Sequence, residues 1–432
     1  MDFREAKFVE VVTRKGKFKG FLLPEIELLG KDAVTLKLEN GYNIRILKKD
    51  IKRIRVLRKY RTRRKGGKEI KRKEGLPNVS ILATGGTIAS RVDYLTGGVY
   101  ASFDIADLAS AVPEILKIAN LRSKVIMQVM SEDMNPELWK KMAREVYKEL
   151  RKRDVDGVVI THGTDTMHFS SALFSFIFQN LNKPIVFTGA QRSSDRGSSD
   201  TFMNLFCSVK AATLDLAEVT LCMHASMNDD YCYLHRGCKV RKMHTSRRDA
   251  FRSINDRPIA KIYSNGEVEF INENYRKRSE AKGGVKLDLK LEPKVALIYV
   301  YPGMDPKVID FYLNRGYRGI VIAGTGLGHV PTTIKKYSLI GKFKKAYEKG
   351  VAICITSQCL YGRVNPSVYA NLRRASIEGR AIYCEDMLPE VAYCKLMWVL
   401  GKTKKLEKVR ELMLTNVAGE INKRSEIDTF LI

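Results

Sequence analysis

Two different hydrophobic patterns divide the chain. Up to about residue 60, short stretches rich in β-branched and apolar residues alternate with polar ones, and Asn40-Gly41 separates two of these stretches. Asn-Gly tolerates positive φ at both central positions of a tight turn, so it predicts a β-hairpin. Several short strands without a helical pattern predict a small β module, which we expect to form a barrel.

The second pattern begins at Asn78, where apolar runs of strand length alternate with helical segments. The runs are VSILA, GVVI, IVFT, VTLCM, VALIYV, GIVIA, VAICIT and AIYC. Continuous apolar strands suit largely parallel sheets that are covered on both faces, which predicts an α/β fold. Helices are predicted to start at Asn135, Asp305 and Asn365, because each is a polar cap followed by proline.

A polar stretch with Gly283-Gly284 and no apolar periodicity separates the α/β region into two parts. Together with the change of pattern near residue 75, this stretch predicts four segments. They are a small β-barrel module with a basic linker (1–75), a first α/β domain (76–275), a linker (276–292) and a second α/β domain (293–432).

Positive charge is concentrated at the start of the chain. The formal net charge is +28, and residues 1–75 hold 24 Lys plus Arg against 10 Asp plus Glu, an excess of 14. The segment from Lys52 to Lys73 holds thirteen basic residues and one acid, Glu69. Such a patch favours polyanions such as RNA, because each phosphate contact releases condensed counterions. The alternative is a solvated linker or an adaptation to hot or salty surroundings, and charge alone leaves both open.

Composition narrows the class of protein further. No apolar run approaches the ~18 residues of a membrane span, and the first ten residues lack the apolar core of a secretory signal, so we expect a cytoplasmic protein with no membrane contact. The eight cysteines form no CxxC pair and lie beside no histidine at zinc-site spacing. We therefore expect reduced thiols and no structural metal.

Two loops that follow apolar runs have unusual chemistry. In an open parallel sheet, ligands bind where the strands end, at their carboxyl edge. The first loop is LATGGTIAS, in which Gly85 and Gly86 let the backbone turn sharply beside a substrate. The second is ITHGTDT. The side chains that these loops bring to the same edge are Thr84, Thr87, His162, Thr164, Asp165 and Thr166.

A threonine hydroxyl is a poor nucleophile at neutral pH and needs a neighbouring base. An aspartate and a lysine supply such a relay, provided that burial or a similar influence lowers the pKa of the lysine. Either loop alone is a weak signal, since threonine hydroxyls in turns also cap backbone groups. Both loops at strand ends of one chain are more informative than either.

These motifs resemble the asparaginase family over roughly residues 78–425. ATGGTIA and THGTDT are joined by SEDMN (131–135), VFTGAQR (186–192) and KVRKMHT (239–245). The resemblance implies that Thr87 is the primary nucleophile. It further implies that Thr164, Asp165 and Lys242 complete the catalytic set. Lys242 lies among other basic residues, and only the resemblance selects it.

The resemblance also implies the substrate-binding residues. Ser131 matches a substrate-binding serine, Tyr94 matches a tyrosine of the mobile loop with Tyr100 as the alternative, and Gly163 belongs to the HGTD backbone. The bacterial asparaginases commonly have Gln beside the serine, whereas this chain has Glu132. This departure leaves the choice between glutamine and asparagine open. His162 and His168 are expected to orient a loop and to pack, and stay outside the catalytic set.

Four longer stretches resemble the D subunits of archaeal glutamyl-tRNA(Gln) amidotransferases. They are FKGFLLPEIEL, LKLENGYNI, TSQCLYGRVNPSVY and CEDMLPEVAYCKLMWVLG. This resemblance implies glutamine as the amide donor and a partner, the E subunit, that uses ATP and Mg²⁺ to convert Glu-tRNA(Gln) to Gln-tRNA(Gln). It implies no cofactor in this chain, a homodimer through the asparaginase-like domains and an assembly of two D and two E subunits.

Two alternatives to an amidotransferase subunit remain. The first is a free asparaginase or glutaminase whose ammonia escapes, against which the additional N-terminal module argues. The second is a tRNA-binding or scaffold protein on an inactive hydrolase fold. The presence of all four catalytic residue types argues against the second alternative.

Overall fold

A computed structural model describes the protein over most of its length. The described residues are 6–23, 32–40, 42–60, 72–85, 90–92, 99–101, 113–193 and 198–431. None of the helices within these ranges is long and apolar enough to cross a membrane.

The N-terminal module is a five-stranded antiparallel sheet in the order β4-β3-β2-β1-β5. Its strands are β1 (Ala6–Thr13), β2 (Lys17–Leu22), β3 (Ala33–Leu38), β4 (Asn43–Leu47) and β5 (Ile51–Tyr60). The predicted hairpin is confirmed, because β3 and β4 pair antiparallel on either side of Asn40-Gly41, of which Gly41 lies outside the described residues. Buried valine, leucine and isoleucine side chains fill one face. Within the described ranges β4 and β5 are the two edges of the sheet and are not paired with each other.

The first α/β region is built on a sheet in the order β18-β17-β14-β13-β12-β10-β6-β9. The strands from β13 to β9 in that order are parallel, and β14, β17 and β18 are antiparallel. The strands of this region are β6 (Asn78–Ala83), β7 (Ser90–Val92), β8 (Val99–Ala101), β9 (Asn120–Val125), β10 (Gly157–Thr161), β11 (Phe178–Gln179), β12 (Ile185–Thr188), β13 (Val219–His224), β14 (Tyr231–Arg236), β15 (Val240–Lys242), β16 (Phe251–Ser253), β17 (Ala260–Tyr263) and β18 (Val268–Phe270). Its helices are α1 (Ile115–Ile118), α2 (Pro136–Leu150), α3 (Met167–Ile177) and α4 (Thr201–Ala211).

The start of α2 confirms the prediction at Asn135. The Asn135 side chain accepts hydrogen bonds from the backbone N–H groups of Glu137 and Leu138, and Pro136 takes the first helical position. This cap satisfies two of the backbone donors that a helix start leaves free. Helix α2 then buries its apolar face, including Trp139, against the sheet region that carries the two predicted loops.

The second α/β region is a four-stranded parallel sheet in the order β20-β21-β22-β23. Its elements are β19 (Lys286–Leu287), β20 (Val295–Tyr299), α5 (Lys307–Asn314), β21 (Gly319–Gly324), α6 (Ile340–Glu348), β22 (Ala352–Ser357), α7 (Ala370–Ile377), β23 (Ile382–Tyr383), α8 (Pro389–Lys402) and α9 (Leu406–Leu414). All eight predicted apolar runs of the α/β part therefore form strands.

The predicted start of α7 is wrong by several residues. The Asn365 side chain accepts a hydrogen bond from the backbone N–H of Ser367, which makes a local turn, and the helix begins only at Ala370. An asparagine before proline supports a turn as readily as a helix cap, because the same side-chain acceptor serves both.

Helix α8 connects the two α/β regions. It packs on α3, where Trp398 stacks on Phe176 with ring centroids 6.1 Å apart. On its other side, a Cβ at Gly319 in β21 would lie 2.7 Å from Leu396. Glycine at this position lets the leucine side chains of α8 lie directly on β21. Helix α8 thus packs between the two sheets in one continuous apolar core.

Candidate active site

The two predicted loops leave neighbouring strands at the same level. In the parallel pair β6–β10, Ala83 lies opposite Thr161. Thr84, the next residue after β6, donates to the Thr161 carbonyl from its backbone N–H (3.1 Å) and from its hydroxyl (2.9 Å). The TGGT and HGTD segments therefore start side by side at the carboxyl edge of the sheet.

The first loop turns in a conformation that favours glycine. Gly85 has φ +114°, and a Cβ at this position would lie 2.6 Å from the Val129 carbonyl oxygen. Three predicted residues that follow Gly85 in the sequence, Gly86, Thr87 and Tyr94, lie outside the described residues. The alternative tyrosine, Tyr100, belongs to β8, where it pairs with Arg91 of β7.

The predicted lysine, threonine and aspartate lie together. Lys242 Nζ donates to Thr164 Oγ1 at 2.9 Å and to Asp165 Oδ1 at 2.7 Å. The Lys242 side chain is 10% exposed, whereas that of Asp165 is 66% exposed. The Lys242 ammonium group thus donates both to a threonine hydroxyl and to a carboxylate that faces solvent. This arrangement can pass a proton between the threonine hydroxyl and the charged pair.

Thr164 is tightly packed against Gly189 on the neighbouring strand end. Gly189 follows β12, and a Cβ at this position would lie 2.9 Å from Thr164 Cγ2 and 2.7 Å from the His162 carbonyl oxygen. The absence of a side chain at Gly189 lets the HGTD segment lie directly on the neighbouring strand end. VFTGAQR thus contributes its glycine to the shape of the site.

The predicted substrate-binding serine lies against the same loop. Ser131 is buried at the start of a short 3-10 turn, Ser131–Asp133. A Cβ at Gly163 would lie 2.7 Å from Ser131 Cβ, and Thr166 Oγ1 donates to the Ser131 carbonyl at 2.6 Å. The structure therefore brings Ser131 and Gly163 together, and leaves Glu132 exposed beside them.

His162 is an internal neutral group. Burial lowers the pKa of His162 to about 4, and the hydrogen bond with the Gly163 carbonyl opposes this shift. The 2.7 Å distance between Nδ1 and that carbonyl assigns the proton to Nδ1. Nε2 then accepts from the Ser170 hydroxyl at 2.9 Å, and Ser170 accepts from Trp139 Nε1 at 2.8 Å. His162 orients the HGTD backbone through this chain of bonds.

Sequence reasoning missed a second polar network around the loop after β12. Asp200 accepts hydrogen bonds from the backbone N–H groups of Gln191 and Arg192. Asn204 donates to the Gly189 carbonyl at 3.0 Å and to Asp200 at 2.9 Å. The four-residue spacing of an acid and an amide on one helix was the available signal, but it is too common to single out.

The described residues hold no group of three or more His, Cys, Asp and Glu side chains that suits a metal ion. All eight cysteines are free, and seven of them, Cys384 and Cys394 included, are buried.

Comparison with known families covers most of the chain. The model for the asparaginase N-terminal domain matches residues 78–276, and that for the glutaminase/asparaginase C-terminal domain matches 294–413. The model for the GatD N-terminal domain matches residues 3–57. Over 416 residues the chain is 55% identical to the glutamyl-tRNA(Gln) amidotransferase D subunit of Pyrococcus abyssi, covering 96% of this chain and 93% of that protein.

The chain belongs to the family of glutamyl-tRNA(Gln) amidotransferase D subunits. A second relative with this name, from Thermococcus kodakarensis, is 53% identical over 429 residues, which cover 98% of this chain and 96% of the relative. The prediction of an asparaginase-like fold preceded by an N-terminal β module is confirmed by the three family matches.

Solved structures of asparaginases share the α/β part. The thermostable L-asparaginase from Thermococcus kodakarensis superposes with a TM-score of 0.71 at 32% identity and covers 80% of this chain and 99% of its own. L-asparaginase I from Vibrio cholerae gives a TM-score of 0.68 at 28% identity, over 81% of this chain and 100% of its own.

Proposed function

We propose that this chain is the glutaminase component of a tRNA-dependent amidotransferase. It hydrolyses the side-chain amide of glutamine with Thr87 as the nucleophile. The ammonia passes to a partner protein that converts Glu-tRNA(Gln) to Gln-tRNA(Gln). The observation that carries the proposal is the pair of hydrogen bonds from Lys242 to Thr164 and Asp165. The names of the closely similar relatives support the link to tRNA.

The chemistry is an acyl transfer in two halves. The Thr87 hydroxyl attacks the side-chain amide carbon, and its proton reaches the nitrogen, which leaves as ammonia. Glutamate remains as an ester on Thr87. Water, activated through Thr164, Asp165 and Lys242, then cleaves the ester, releases glutamate and restores the Thr87 hydroxyl. Backbone N–H groups of the two loops stabilise the oxyanion in both halves, at roughly 3–4 kcal/mol per donor.

Substrate binding is assigned to the groups beside this relay. These groups are Ser131, Glu132 and Gly163, and a tyrosine, Tyr94 or Tyr100, is assigned to the same role. Glu132 is exposed beside the buried serine, so its carboxylate is available to the amino-acid part of the substrate. The site thus combines the ammonium group of Lys242 with the exposed carboxylates of Asp165 and Glu132, which suits a zwitterionic amino acid.

The proposed partner is the E subunit of the amidotransferase, which uses ATP and Mg²⁺ and binds Glu-tRNA(Gln). We propose an assembly of two chains of each kind, with a homodimer through the asparaginase-like domains. This chain needs no cofactor of its own. A free asparaginase or glutaminase remains the competing function, because the asparaginase structures resemble the α/β part.

The nucleophile is tested with Thr87→Val, which keeps the β-branched shape and removes the hydroxyl. We expect glutaminase activity to be lost while circular dichroism and the thermal midpoint stay unchanged. Thr84→Val is the matched control in the same loop, since the Thr84 hydroxyl is bound to a backbone carbonyl. Retention of most activity by Thr87→Val would remove Thr87 as the nucleophile.

The coupling to a partner is tested by measuring ammonia release with the chain alone and with the E subunit, ATP and Glu-tRNA(Gln). A low basal rate on glutamine that rises strongly in the complete mixture is expected. A high rate on free asparagine that is indifferent to the partner and to tRNA would favour the free asparaginase instead.

A further inference from the structure

The strand that carries Lys242 is tied to the second α/β region by two ion pairs. Lys239 Nζ lies 2.7 Å from Asp386 Oδ2, and both side chains are almost fully buried. Two residues further on, Arg241 Nη1 lies 2.7 Å from Glu390 Oε2, in the first turn of α8. Lys242 contacts Thr164 and Asp165. Its side chain lies on the face opposite to that of Arg241, because successive side chains of a strand point to opposite faces.

Apart from the two ion pairs, strand β15 is held by Val240, which is buried in the main apolar core, and by its pairing with one other strand. It is three residues long and, within the described ranges, pairs only with β16 in a two-stranded ladder outside the main sheet. A ladder of this length does not fix the distance from Lys242 to the loop after β10. That distance therefore also depends on what the side chains of β15 contact on the opposite face.

The Arg241–Glu390 ion pair contributes little net stability, because removing the Glu390 carboxylate from water costs free energy. Burial raises the pKa of Glu390, and Arg241 opposes this shift. Glu390 Oε1 and the nearby His168 Nδ1 are both buried without a hydrogen-bond partner among the described residues. His168 Nε2 lies 3.9 Å from Glu390 Oε1, and burial lowers the pKa of His168 to about 3, so this histidine is neutral and does not compensate the carboxylate. Apolar residues of similar size commonly stabilise such a place as well or better.

We propose that Glu390 is a positioning residue for the amidase site: through Arg241 it holds β15 so that Lys242 stays within hydrogen-bond distance of Thr164 and Asp165. This inference rests on the proposed function, in which Lys242 takes part in proton transfer. It places a determinant of activity in the second α/β region, on a residue that does not touch the substrate.

The expected effect follows from the geometry. A displacement of about 1 Å at a catalytic group can cost about 10²-fold in rate. Loss of one of the two ion pairs of β15 is a smaller perturbation, so we expect kcat on glutamine to fall about tenfold in Glu390→Leu and in Arg241→Met. KM is expected to change less than twofold, because Ser131 is held by the loop after β10 and not by β15.

Stability and positioning are separated by two further variants. Arg241→Met combined with Glu390→Leu removes both charges, so the thermal midpoint should return towards the parent value while kcat stays low. Glu390→Gln keeps an acceptor for Arg241 and should retain at least half of the parent kcat. The control is Asp288→Asn, which breaks the 2.8 Å ion pair of Lys402 at the other end of α8 and should leave kcat unchanged.

Amide hydrogen exchange by mass spectrometry supplies a readout that does not depend on catalysis. Peptides covering residues 240–242 should exchange faster in Glu390→Leu than in the parent and in Asp288→Asn. If kcat and this exchange are unchanged in Glu390→Leu, or if the double variant recovers kcat together with stability, the positioning role is refuted. A parent chain that releases no ammonia from glutamine even with the E subunit, ATP and Glu-tRNA(Gln) would instead overturn the proposed function, and the exchange experiment would still test the tie.

Discussion

The most direct test of the described site is Lys242→Met. Methionine keeps an unbranched side chain of similar length that adapts to irregular gaps, so the packing of the largely buried lysine stem is preserved. What is lost is one cation that donates to Thr164 Oγ1 and to Asp165 Oδ1. The variant therefore removes the relay without reshaping its surroundings.

The structure gives different magnitudes for stability and for rate. The Asp165 side chain is 66% exposed, so its carboxylate is hydrated after the lysine is lost, and the free energy of unfolding should fall by no more than about 1 kcal/mol. A group that transfers protons in the transition state contributes about 10²–10⁴-fold to the rate. At about 1.36 kcal/mol per factor of ten, this corresponds to roughly 3–5 kcal/mol of transition-state stabilisation.

The assay is steady-state ammonia release from glutamine, with thermal unfolding of the same samples. Lys140→Met is a matched control, because Lys140 makes a 2.9 Å ion pair with Glu137 within α2 and is not one of the residues assigned to the site. We expect the control to keep parent kinetics. The reasoning is refuted if Lys242→Met retains more than a tenth of the parent kcat, or if its loss of activity is accompanied by an equally large loss of folded protein.

Two further predictions concern the same region and the interior. Gly163→Ala places a Cβ 2.7 Å from Ser131 Cβ and displaces this serine, so KM for glutamine should rise several-fold with a smaller change in kcat. If the variant and the parent have equal KM values, Ser131 does not bind the substrate. Burial lowers the pKa of His162 to about 4 and that of His235 to about 3, so both stay neutral in the folded chain but take up protons in the unfolded chain below about pH 6.5. The free energy of unfolding should therefore fall as the pH drops from 6.5 towards 4, by up to about 1.4 kcal/mol per pH unit for each histidine. Denaturant titrations at several pH values should show that the free energy of unfolding of His235→Asn falls less steeply with decreasing pH than that of the parent.

Local patterns predicted the secondary structure well because burial on both faces leaves a continuous apolar signal. The runs VSILA and GVVI are the adjacent strands β6 and β10, and both motif loops follow them. The start of α7 failed because a turn and a helix cap use the same asparagine acceptor. No local pattern indicated that the strand pairs of the N-terminal sheet would leave β4 and β5 as edges within the described ranges.

The site was predicted unevenly. Thr164 and Asp165 stand in one motif, but Lys242 lies among Lys239 and Arg241, and no local feature distinguishes the three. Their different roles come from contacts with partners far along the chain: Arg241 meets Glu390, 149 positions later. Pairings over such separations depend on how whole domains pack, which a single sequence does not display.

The shared level at which β6 and β10 end has a consequence for how this site can vary. A strand advances about 3.3 Å per residue and alternates its faces, so inserting one residue within either strand would shift its loop along the sheet and turn the following side chains over. Residues added after Thr84 or after the HGTD segment would leave the Ala83–Thr161 alignment intact. The lengths of two buried strands are thus as much a part of the chemistry as the hydroxyl groups that follow them, and differences between homologous chains should collect in the outer parts of the loops.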